Sequence, residues 1–66
     1  MLLTVNGESI LVPEGCTVAS LLELQGLHER PCAVEVNREV VPRREHQAKN
    51  FATGDVVEIV TLVGGG

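Results

Sequence analysis

The sequence predicts an α+β domain: a mixed sheet of four to five strands with one helix packed across it. Three observations carry that prediction. Short β-prone, largely apolar runs stand at both ends of the chain, Met1-Leu2-Leu3-Thr4-Val5 and Val56-Val57-Glu58-Ile59-Val60. One segment between them changes to a helical period, with Val18, Leu21, Leu22 and Gln25 at i, i+3, i+4 and i+7. The chain has 66 residues, enough for one domain only, so all of its elements share a single core.

The first strand, Met1 to Val5, turns at Asn6-Gly7, the strongest two-residue hairpin signal, because both turn positions need positive φ. Glu8 to Val12 returns. Met1, Leu3 and Val5 take the core face by alternation, with Ile10 and Val12 opposing them. Pro13-Glu14-Gly15 makes a turn, and Thr17 is placed to cap a helix over about 18–25. Gly26 ends that helix in a left-handed conformation that suits a residue without Cβ, and Leu27 folds back onto the last turn. A helix this short does not hold alone and needs the sheet.

Pro31 closes a polar connection. Ala33-Val34-Glu35-Val36 is a third strand with Val34 and Val36 inward, Asn37-Arg38 a turn, and Glu39-Val40-Val41 a fourth strand stopped by Pro42. Residues 43–50 are polar and irregular, with room for one helical turn, and Phe51 closes the open end of the core. Gly54-Asp55 turns into the last strand. There Val57, Ile59 and Thr61 share one face, while Val56, Glu58, Val60 and Leu62 share the other. Neither face is cleanly polar, which marks a central strand or a partner surface. The most apolar strand belongs in the middle, where both edges pair, so the last strand lies beside the first and parallel to it.

Composition narrows the function. The chain is 44% hydrophobic with a single aromatic residue, Phe51, so valine and leucine build the core. A net charge of −4 without a basic run argues against nucleic acid as a partner. No apolar run reaches membrane-spanning length and no signal-peptide pattern opens the chain, so neither a membrane nor secretion is expected and the location is read as cytoplasmic. Cys16 and Cys32 stand apart without metal-ligand spacing and read as small, partly buried hydrophobes. His28 and His46 lie in polar segments and read as surface residues, and no metal site is expected. Ser9 and Ser20 lack a base at recognisable spacing, so no catalytic residue is assigned. The glutamates read as solvated surface, with a role in complementing a basic docking patch as the alternative.

The end of the chain is the unusual part. Residues 1–62 are expected to form the domain and 63–66, Val63-Gly64-Gly65-Gly66, a flexible tail. Three glycines in a row gain nothing from packing and cost the most backbone entropy when ordered. They suit a thread that enters a narrow channel, reaching about 14 Å beyond the strand when extended. They equally suit a frayed terminus.

At this point the sequence resembles the ubiquitin-like β-grasp proteins, and among them the ThiS family, the sulfur carriers of thiamin (thiazole) biosynthesis. Asn6-Gly7-Glu8, Val34-Glu35-Val36-Asn37, Val41-Pro42-Arg43, Gly54-Asp55-Val56-Val57-Glu58-Ile59-Val60 and the final Val63-Gly64-Gly65-Gly66 carry the resemblance across the whole chain. Arg38 stands where a small turn residue is often found, and Phe51 where an aliphatic is usual. The small subunit of molybdopterin synthase is a related carrier with the same Gly-Gly end, but it is usually longer.

The resemblance implies a protein co-substrate rather than an enzyme. It implies that the Gly66 carboxylate is adenylated by a ThiF-like adenylyltransferase, which uses ATP and Mg. The adenylate is then converted to a thiocarboxylate with sulfur from a cysteine desulfurase or other persulfide donor, and a ThiG-like thiazole synthase takes that sulfur. No cofactor is bound by the chain itself. Gly64 and Gly65 thread the partners' active sites, and Val60 and Leu62 are the expected docking residues beside the tail. A molybdopterin-type carrier, a ubiquitin-like modifier of other proteins, and an interaction module with a glycine spacer are the competing readings.

Overall fold

Strands and helix follow one another as β-β-α-β-β-β in a computed structural model that describes residues 1–62. The elements are β1 (Leu2–Val5), β2 (Glu8–Leu11), α1 (Val18–Leu24), β3 (Cys32–Val36), β4 (Glu39–Val40), a 3-10 turn (Arg43–Glu45) and β5 (Val56–Thr61). The strands form one sheet in the order β2-β1-β5-β3-β4, with β1 and β5 parallel and the other neighbours antiparallel. The expected α+β class is therefore observed, with five strands, and the most apolar strand is central. β5 pairs with β3 over five residue pairs, from Cys32↔Thr61 to Val36↔Val57, and with β1 over Thr4↔Val56 and Val5↔Val57.

One face of the sheet carries the core. Leu3, Val18, Leu21, Val34 and Val57 are the largest fully buried side chains, drawn from β1, α1, β3 and β5. Each contributes about 1.5–3 kcal/mol through burial. Phe51 and Val41 join the same cluster, as does Cys16, whose burial pushes its thiol pKa up. Cys32 is half-buried against it.

The short helix persists because its ends are tied down. Thr17 Oγ1 accepts from Ser20 N at 3.2 Å. The two N–H groups before it find carbonyls in the polar loop: Val18 N donates to Lys49 O and Ala19 N to His46 O. The first three helical donors, which no intrahelical bond can serve, are thus satisfied. At the other end Gly26, at φ +74°, donates to Glu23 O and Leu27 donates to Leu22 O at 2.7 Å, a Schellman closure that turns Leu27 back onto the core.

Three expectations are corrected. His46 is not a surface residue. The 3-10 turn folds the chain back under Val41, so the ring lands against the core edge, 7% exposed, with Nε2 donating to Val41 O at 3.0 Å. Gln25 is the exposed cap residue of α1 rather than part of its apolar stripe, because the helix stops at Leu24, one residue before it. Thr61 shares the inward phase of β5 but is exposed, since the strand runs past the end of the core.

Candidate functional site

The candidate site begins where β5 leaves the sheet. Two turn asparagines hold this strand, one at each edge. β1 stops at Val5, and beyond it the Asn6 side chain continues the ladder: its Oδ1 accepts from Ile59 N at 2.8 Å and its Nδ2 donates to Ile59 O at 3.2 Å. Asn37 does the same across from Val56. Its backbone N donates to Val56 O at 2.7 Å, its Oδ1 accepts from Val56 N at 2.9 Å, and its Nδ2 donates to Asp55 Oδ1. Asp55 Oδ2 accepts in turn from Ala52 N. Both asparagines have positive φ, at 49° and 51°, so each turn aims its amide sideways at the neighbouring strand.

Sequence reasoning read these residues as turn formers and missed the clamps. Asn-Gly signals a hairpin, but the strand that its side chain meets is 53 positions away.

The helix covers one face of the sheet and leaves the other open. On that open face Val56, Val60 and Leu62 are 49%, 58% and 54% exposed. Register places Thr4 beside Val56, Ala33 beside Val60 and Glu35 beside Glu58. Val40 is exposed opposite Glu35 on the far side of β3. The result is an apolar surface interrupted by a cross-strand pair of like charges, which costs stability where it stands. Val60 and Leu62 thus lie together on the last accessible stretch of the domain before residue 63. Val63, Gly64, Gly65 and Gly66 lie outside the described residues.

Among the described residues no group of three or more His, Cys, Asp or Glu could hold a metal ion. Ser20 Oγ meets Thr17 Oγ1 at 2.9 Å in the helix cap. Nor is any helix long and apolar enough to cross a membrane.

The central parallel pair β1–β5 and one helix packed on the sheet form a frame that can be compared with known proteins. The family model described as ThiS family matches residues 2–66. The chain belongs to the ThiS family. A crystal structure of the thiamine biosynthesis protein ThiS from Geobacter metallireducens superposes with a TM-score of 0.83 at 36% identity, each chain covered completely. A solution structure of a thiamine biosynthesis protein from the same organism gives 0.80 at 36% identity, covering this chain completely and 88% of the other. A thiazole synthase of Paramagnetospirillum magneticum is 39% identical over 66 residues. This ThiS-family chain spans only 20% of that synthase's length. The β-grasp architecture expected from the resemblance is the one observed.

Proposed function

We propose that this chain is a sulfur carrier of thiamin biosynthesis, a protein co-substrate whose reactive group is the Gly66 carboxylate. The observation that carries the reading is the extent of the family match, which runs through residue 66 and so includes the Val-Gly-Gly-Gly end. The similarity to two structures of thiamine biosynthesis proteins from Geobacter supports the pathway.

The chemistry follows from the poor leaving ability of a carboxylate oxygen. A ThiF-like adenylyltransferase lets one Gly66 oxygen attack the α-phosphorus of Mg-ATP, and pyrophosphate leaves. The terminal sulfur of a persulfide then attacks the acyl carbon and AMP leaves. A second thiol cleaves the acyl disulfide to give the thiocarboxylate. A ThiG-like thiazole synthase draws the sulfur from it. The identity with a segment of a protein named thiazole synthase supports that partner.

The role of the domain is presentation. Asn6 and Asn37 hold β5 at Ile59 and Val56, so the strand that leads to the tail is fixed by its neighbours. Gly64 and Gly65 carry no side chains and let the carbonyl of Gly66 enter a channel. Val60 and Leu62 on the open face dock the partners, an exposed apolar patch being the usual mark of such a surface.

The test is intact mass after incubation with the activating enzyme, Mg-ATP and a persulfide donor. The expected product has one oxygen exchanged for sulfur, located on the C-terminal peptide. Gly65→Val should still bind but react slowly, because a branched Cβ narrows φ/ψ and widens the thread. No mass change in the parent, with the enzyme competent on another carrier, would refute the reading. Stable higher-mass conjugates would favour a modifier.

A further inference from the structure

Away from the open sheet face, a cleft of about 420 Å³ lies between α1, the loop that follows it and the 3-10 turn. It is lined by Ala19, His28, Arg43, Arg44, His46 and Gln47. Five Lys and Arg and two His make seven basic side chains in a chain of net charge −4, and four of the seven line this one cleft. No carboxylate is among its lining residues. Glu29 approaches His28 at 3.7 Å and Glu45 approaches Arg44 at 3.9 Å, both from exposed positions. Arg43 has no carboxylate at ion-pair distance among the described residues.

His46 gives the cleft a fixed wall. Its Nε2 faces the Val41 carbonyl, which can only accept, so that nitrogen carries the hydrogen. Nδ1 makes no hydrogen bond among the described residues, yet it is not sealed from solvent. The ring is held by burial, and its backbone carbonyl is tied to Ala19 N in the first turn of α1.

We infer that this cleft binds a small oxyanion of the phosphate class. Two planar guanidinium forks, the His28 ring and the Gln47 amide offer more donors than the two oxygens of a carboxylate accept, and a phosphate group presents three or more oxygens. Its acidic surroundings make the local concentration of cationic groups the feature that selects an anion. The inference stands on a different face from the proposed docking residues and does not depend on the carrier chemistry.

The probe is sodium phosphate, titrated into the ¹⁵N-labelled full chain against sodium chloride at matched ionic strength. The backbone amides of Ala19, Arg44, His46 and Gln47 should shift saturably with phosphate and not with chloride. The double substitution Arg43→Gln, Arg44→Gln changes two exposed residues, and retained amide dispersion will show that the fold survives. It should weaken binding by about tenfold or more, as expected when charge-assisted hydrogen bonds are lost. AMP titrated in parallel identifies the source: tighter binding than phosphate assigns a phosphate carried on a nucleoside, and equal binding assigns the free ion, both within the inference. Three results would overturn it: shifts that match chloride, shifts that survive the double substitution, or saturation by a glutamate-rich peptide where phosphate gives none.

Discussion

Asn6 shapes a turn with its backbone and holds β5 with its side chain, and two substitutions take these roles apart. Asn6→Gly keeps a residue at ease at φ 49° but removes both hydrogen bonds to Ile59, at 2.8 and 3.2 Å. Each such bond contributes about 0.5–1.5 kcal/mol net, so the expected loss is about 1–3 kcal/mol. Glycine adds unfolded-state entropy and relieves residual backbone strain, two effects that oppose each other. Asn6→Ala removes the same bonds and also forces a Cβ-bearing residue without a local side-chain hydrogen bond into the left-handed region, at about 1–2 kcal/mol more. Its total of about 2–5 kcal/mol is a large share of the roughly 3–10 kcal/mol that a domain of this size possesses. Urea unfolding gives both values, and hydrogen exchange at the Ile59 amide reports the clamp itself. The amide should exchange faster in both variants than global unfolding accounts for. If Asn6→Gly unfolds within about 0.3 kcal/mol of the parent and the Ile59 amide stays protected, the side chain does not hold β5 and the reasoning fails.

Three further outcomes are expected. Arg38 occupies a turn position at φ +70°, so Arg38→Gly should raise stability by about 0.5–1 kcal/mol, seen as a higher melting temperature; a lower one would show that the arginine side chain outweighs the strain. Burial raises the Cys16 pKa in the folded state, so the fold binds that proton more tightly than the unfolded chain does. Stability from this source is complete below the ordinary thiol pKa and falls as pH rises through the folded value; Cys16→Ala should flatten the alkaline limb of a stability–pH curve. Val60→Asp on the open face should cost about 1 kcal/mol or less in stability yet weaken binding to the activating enzyme by about tenfold, and unchanged binding by calorimetry would remove Val60 from the docking surface.

The sequence by itself determined the class of fold, the order of its elements and the family. Period-two and period-3.6 patterns are local, and so are the signals that bound them. Thr17 caps the helix through a residue three positions on, Gly26 ends it, and Asn6-Gly7 turns the first hairpin, because each acts on its own neighbours. The central place of β5 was also legible, since a strand with apolar residues in both phases needs partners at both edges. Only the tertiary structure decided what depends on residues distant in sequence. Asn6 meets Ile59 and Asn37 meets Val56 because the sheet order brings separate turns against one strand. His46, in a polar segment, is buried because the 3-10 turn sets its ring against Val41, and the loop that carries it supplies the carbonyls that finish α1. The cleft that joins His28 to Arg43 and His46 has the same origin. Hydrogen-bond satisfaction and close packing are properties of three-dimensional neighbours, and no local pattern encodes which neighbours those are.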